Sequence, residues 1–215
     1  MTSPLFSTAY LPSVSYMANI AMFDTIAIEQ KETFPKQTFR NRAVIATGNG
    51  PLMLNVPIVR PQGNHTPTDQ ILISYHEPWN IRHWRAIVSA YSAAPYFLYY
   101  RDELEQILLS PHQRLIDLND ALLHYLLKKL KLTCAVSYNG SFTPPSTPPS
   151  TLDFRGRLSD KHSLNAYTSL PAYPQVFDTR FGFQSNLSCI DILFNLGPEA
   201  KSYLKNALPY IKNSC

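Results

Sequence analysis

Cysteine is scarce in this chain, with only Cys134, Cys189 and Cys215 among 215 residues and no CxxC pair. That spacing excludes a disulfide framework or a zinc ribbon and fits a reducing compartment, so a cytoplasmic protein is expected. Charge is thin as well. Only 16% of residues are charged, and the net charge of +4 comes without a polybasic run, which argues against general nucleic-acid binding. No apolar run approaches the roughly eighteen residues of a membrane-spanning helix. The opening MTSPLFSTAYLPSVSYMANIAM contains Pro4 and Pro12 and lacks a leading cation, unlike a signal peptide. Without an export signal, the sequons at Asn139 and Asn186 read as chance matches. Only seven glycines occur, and none falls in a P-loop, a GxGxxG or a GxSxG; HExxH is missing too.

What is present is apolar and aromatic: 45% hydrophobic residues, with 13 Tyr and 11 Phe. Such a chain folds. The length suits one domain over 1–215, with SFTPPSTPPST at 141–151 as a stiff, exposed Pro/Thr-rich loop. The order of elements indicates an α/β fold. A short strand runs up to Tyr10, a turn follows at Leu11-Pro12-Ser13, a helix covers Val14 to Met22, and FDTIAIE forms a second strand. A β-α-β unit in immediate succession predicts a parallel pair. RAVIAT and PLMLNVPIV around Gly48-Asn49-Gly50 predict a hairpin, so the sheet is mixed.

From Pro78 the period becomes helical. Two helices are expected with a break near Ala94-Pro95. A third is expected with Ser110 as N-cap and Pro111 at its first position. Leu115, Leu118, Leu122, Leu126 and Leu130 fall on one face, which marks a core helix. LTCAVSY reads as a strand, and Ser188 and Gly197 bracket a helix from Cys189.

No motif declares an activity. His76, Glu77 and His83 do not have zinc spacing, and no metal site is assigned. The block from His83 to Tyr100 is rich in rings and reads either as a helix-packing core or as a binding wall. KQTFRNR at Lys36–Arg42 concentrates three cations. On a strand Lys36, Arg40 and Arg42 share a face, and on a helix Lys36 and Arg40 adjoin. A solvated basic face and an anion-binding comb both remain open.

Ordered matches along nearly the whole chain narrow this. YLPSVSY at Tyr10–Tyr16, Asp24, KQTFRNR, LNVPI at Leu54–Ile58, Trp79 and His83, YSAAPYF at Tyr91–Phe97, DLN at Asp117–Asn119 and NLSCIDILFNLGPE at Asn186–Glu199 together resemble the WbqC-like family. Its members occur among bacterial genes for surface polysaccharide and O-antigen. The resemblance implies a transferase, with glycine transfer onto a polysaccharide sugar as the activity its gene setting points to. It names no catalytic residue and no cofactor. The opening layout also resembles the entry of nucleotidyltransferase-like three-layer folds, although YLPSVSYM lacks their nucleotide-binding His and Gly.

Two classes of function follow. As a transferase using an activated, phosphate-bearing donor, the chain would hold the anion with Lys36, Arg40, Asn41 and Arg42 and stack substrate on Tyr10, Tyr16, Trp79 and Tyr96. Asp24, Glu32 and His83 would be the acid/base candidates. As a non-catalytic module it would bind a nucleotide-sugar, a glycan precursor or a protein partner. RNA binding through the same residues is the weaker third reading, for want of an RNP-type motif.

Overall fold

The computed structural model describes residues 3–36, 38–145, 152–156 and 170–212, with side chains to 208. The expected β-α-β unit is present. Strand β1 (Leu5–Ser7) leads through helix α1 (Val14–Ile20) to β2 (Thr25–Glu29), and the two strands pair in parallel, Leu5 against Ala27. Ser13 starts α1 because its Oγ accepts from Tyr16 N at 3.3 Å, satisfying one otherwise unpaired helix donor. Every residue of α1 is buried, as a short crossover pressed onto its own sheet must be.

The hairpin also forms where Asn-Gly places it. Strands β3 (Arg42–Thr47) and β4 (Gly50–Asn55) pair from Thr47↔Gly50 back to Arg42↔Asn55. Gly50 has φ 95, a conformation glycine adopts without steric cost. β5 (Ile58–Val59) and β6 (Leu72–Ile73) form a second short antiparallel pair.

Helices α2 (Trp79–Tyr91) and α3 (Phe97–Leu109) break as expected at Ala94-Pro95. The third start is a correction. Ser110 closes α3, donating its Oγ to Gln106 O at 2.6 Å, and α4 runs over Leu115–Lys129 with Arg114 as its N-cap. Pro111 is the cause: the residue before a proline is pushed to extended backbone, and Ser110 has ψ 140. The chain from 111 to 114 instead pairs with β6, through Ile73 N to Gln113 O and Leu115 N to Ile71 O. The Leu115–Leu130 stripe is buried throughout.

Strand β7 (Ala135–Tyr138) joins β2 in parallel, giving the order β1-β2-β7. Beyond β1, Leu5 forms a parallel bridge to Asp153. Helices α5 (Asp178–Phe181), α6 (Cys189–Leu196) and α7 (Ala200–Lys212) complete the chain. Gly197 ends α6 with φ 52, and a Cβ there would lie 2.5 Å from the Tyr96 ring, so both backbone and packing require glycine. Buried apolar residues from Phe6 to Ala207 form one continuous cluster.

The fold is therefore mixed α/β, with a parallel sheet, a hairpin and helices. Nucleotidyltransferase-like layering is a finer claim than these strands carry. Of the Pro/Thr-rich stretch, 141–145 has no regular structure and 146–151 lies outside the described residues. Among the described residues, no helix is long and apolar enough to cross a membrane.

Candidate functional site

The carboxyl ends of the parallel strands deliver Ser7 and Glu29 to one edge of the sheet, where open parallel sheets commonly take ligands. In this chain that edge is filled by its own charges. Arg40, 3% exposed, directs Nε and Nη2 to Glu32 Oε1 at 3.0 and 2.7 Å, and Nη2 also donates to Ser7 Oγ. Ser7 Oγ in turn donates to Glu32 Oε1 at 3.0 Å. Beside them Arg155 forks onto Asp153 and lies 3.6 Å from the fully buried Glu29. Glu29 also accepts from Lys31 N and Thr143 N, at 2.8 and 2.9 Å. Buried charges persist when paired and hydrogen-bonded in this way.

In its described residues KQTFRNR is neither strand nor helix before Arg42, where it enters β3. Its cations consequently separate. Arg40 turns inward to Glu32, while Lys36 and Arg42 line an open cleft of about 300 Å³ with Phe34, Asn41, Asn55 and Arg60. Arg42 Nε donates to Asn55 Oδ1 at 3.2 Å, and Asn41 Nδ2 donates to the same oxygen at 3.1 Å. Arg60 stacks on Phe34, its guanidinium carbon 5.2 Å from the ring centroid. Three cations and two carboxamides thus face the cleft, and no carboxylate is among the described residues lining it. Charge-assisted, fork-shaped donors of this kind suit phosphate or carboxylate.

The expected aromatic wall is mostly interior. Tyr10 is fully buried, and its hydroxyl lies 2.9 Å from His83 Nδ1. Trp79 packs edge-on against both rings, at 6.4 and 5.1 Å. Burial, reinforced by Arg82, lowers the His83 pKa to about 4, so the imidazole is neutral near pH 7. Burial raises the Tyr10 hydroxyl far above its usual range. Tyr16 is buried and donates to Ser7 O at 2.7 Å. Tyr96 covers Gly197.

The acid/base candidates lie in three places. Asp24 precedes β2 and lines a pocket of about 170 Å³ with Cys134, Lys201 and Lys205. Glu32 follows the other end of that strand, bound to Arg40, and His83 sits inside α2 against Tyr10. Asn55, Arg60, Phe34, Ser7 and Arg155 escaped the sequence reading. For Asn55 a signal existed, because counting back from the Asn-Gly turn sets it opposite Arg42. For Arg155 the neighbouring Asp153 was visible as a partner, but its approach to Glu29, more than a hundred residues away, was not.

Away from both regions, Asp191 is a buried carboxylate that accepts from Tyr91, Tyr173, Gln175 and Asn195. Burial raises its pKa. It ties α2 and α6 to the Tyr173–Gln175 segment, a structural junction.

This chain is similar to the uncharacterized protein Rv1507c of Mycobacterium tuberculosis, 27% identical over 221 residues that cover 91% of this chain and 94% of that protein. No solved structure matches it. The profile of the WbqC-like protein family matches residues 8–154, which begin just after β1, take in β2, KQTFRNR, the cleft, Trp79 and His83, and stop before Asn186–Glu199. With two thirds of its length matched, including every residue of the cationic cleft, the chain belongs to the WbqC-like protein family.

Proposed function

We propose that this WbqC-like protein binds a phosphate-bearing, activated donor in the cleft formed by Phe34, Lys36, Asn41, Arg42, Asn55 and Arg60, and uses it as a transferase in bacterial surface-glycan synthesis. The observation that carries the reading is the composition of that wall, three cations and, among the described residues, no lining carboxylate. Lys36 supplies a mobile point charge, Arg42 a fork held by Asn55, and Arg60 a guanidinium held by Phe34. On this reading the group moved is an aminoacyl group, glycine being the candidate that the family's gene setting suggests, and the cytoplasm is the compartment. Arg40 and Glu32 act here as positioning residues that fix the backbone leading into Asn41 and Arg42.

One observation favours a second reading, a non-catalytic module for a nucleotide-sugar or glycan precursor. Asp24, Glu32 and His83 stand apart, and none of them lines the cleft. An imidazole held near pKa 4 is also a weak base at neutral pH.

Calorimetric titration with inorganic phosphate, nucleotides and nucleotide-sugars, followed by mass spectrometry of candidate acceptors, separates the two. Binding followed by acceptor conversion supports the transferase. Binding without conversion across amine and hydroxyl acceptors leaves the binding module. Phosphate and nucleotides that fail to bind, or bind equally well to Arg42→Ala/Arg60→Ala, remove the cleft from both readings.

A further inference from the structure

Two stretches that carry the family resemblance, Tyr10–Tyr16 and Asp117–Asn119, meet at a pocket that the donor cleft does not use. It opens at the carboxyl ends of the parallel strands: Thr8 follows β1, Ile28 lies near the end of β2, and Tyr138 ends β7. α4 supplies the opposite wall with Asn119 and Asp120; Ala9, Pro12, Ile116 and Leu123 add apolar surface, and Thr8 and Tyr16 each bring a hydroxyl, that of Tyr16 already donating to Ser7 O. The void is about 10 Å³, room for one group of water size.

Asn119 is 1% exposed. Its Nδ2 is committed to Arg40 O at 2.8 Å, which fixes the amide's orientation. Its Oδ1 is shielded from solvent and has no partner among the described residues. A buried acceptor without a donor is rare enough in native proteins to call for an explanation. The next residue adds a charge of matching sense. Asp120 Oδ1 is also shielded, with His124 Nδ1 at 3.2 Å as its neighbour. Burial raises the Asp120 carboxyl, with His124 pulling it down and Asp117 adding to the rise. Among the described residues, no Lys or Arg side chain lines the pocket. A carboxamide oxygen without a donor, with a carboxylate next to it in a water-sized recess, favours a compact donor carrying positive charge over an anion or an apolar group.

We propose that this pocket binds the primary ammonium group of a small amine ligand through Asn119 Oδ1 and Asp120, with the ligand's body leaving past the half-exposed Tyr138 on the sheet edge. The site stands on its own geometry and does not require the cleft to hold phosphate.

The test titrates the full chain with methylammonium chloride and, separately, tetramethylammonium chloride at constant ionic strength, following the Asn119 side-chain amide signals by nitrogen-15 NMR. Methylammonium is expected to shift them saturably, and tetramethylammonium, which has no N–H, to leave them in place. Asp120→Asn keeps the shape and removes the charge, and it should weaken methylammonium at least tenfold while phosphate binding at the cleft is unchanged. Asp120→Ser, should the first variant fail to fold, must give the same loss. Signals unmoved by methylammonium, meaning a water alone fills the recess, overturn the proposal. So does an equal response to both cations, or an unaltered affinity in the folded variants.

Discussion

Arg40 and Arg42 are two residues apart in one basic stretch and end in opposite surroundings. Arg40 is sealed against Glu32 and Ser7 at the end of the parallel sheet, and Arg42 stands on the wall of an open cleft with Lys36 and Arg60. Charge and residue type are identical. The difference is the neighbour: Glu32, brought round by the turn after β2, neutralises one guanidinium, whereas the hairpin offers the other only the carboxamide of Asn55. A basic cluster in a sequence is therefore not a single device. Its members divide according to which of them meets a carboxylate, and only the unneutralised ones remain for a ligand.

The largest expected effect comes from breaking the sealed side. Arg40→Ala removes one partner of a nearly buried pair and takes the guanidinium from both Glu32 and Ser7 Oγ, leaving the carboxylate charge uncompensated, so it should cost about 3 kcal/mol in urea unfolding. Glu32→Gln, which keeps the shape and drops the charge, should also destabilise, by less than Arg40→Ala. A folded Arg40→Ala variant of wild-type stability that fails to bind phosphate would reverse the assignment and return Arg40 to the cleft.

His83 belongs to the same buried half and gives the next effect, one of pH. Its folded pKa of about 4 lies below the ordinary 6.5, so between these values the unfolded chain takes up a proton that the folded chain refuses. The stability is fully present above about pH 6.5 and is lost as the pH falls to about 4. The gap is worth on the order of 3 kcal/mol if the site stays closed. Carboxylates contribute to acid unfolding too, so the comparison is with His83→Gln, whose stability should vary less over that window. Equal slopes in the two proteins would mean that His83 is already solvated.

The contrast also explains what could be read from residues alone. Local signals sufficed for the β-α-β opening, the Asn-Gly hairpin, the helix break at Pro95 and the leucine stripe of α4, because each depends on neighbours within one or two turns. Ser110-Pro111 misled because the proline that suits a helix start also forces the residue before it out of a helix, and the pairing of 111–114 with β6 decided between them. For the candidate site, residue types were legible but their division was not. Arg42, Lys36 and Asn41 reach a cleft as expected of an anion site, but Arg40 does not, since nothing near it in sequence shows that Glu32 folds back onto it. Tyr10, Tyr16 and Trp79 were recognised as amphipathic rings, a property that serves a core with internal hydrogen bonds as well as it serves a ligand wall.

The open side should give the smallest change in stability and the larger change in binding. Among the described residues the side chains of Arg42 and Arg60 make a carboxamide contact and a ring contact, each worth a few tenths to about 1 kcal/mol at a solvated site, so Arg42→Ala/Arg60→Ala should lower unfolding free energy by no more than about 1 kcal/mol. The same variant should lose phosphate affinity at least tenfold, since a phosphate in the cleft would lose two of its three cations. Salt sharpens the comparison further. Screening acts on solvated charges within about 10 Å at 0.1 M and much less on buried pairs. Raising ionic strength should therefore weaken phosphate binding while leaving the stability difference between wild type and Arg40→Ala nearly constant. If salt instead erases that stability difference, the Arg40–Glu32 pair is exchanging with solvent, and the two guanidinium groups are less distinct than their burial implies.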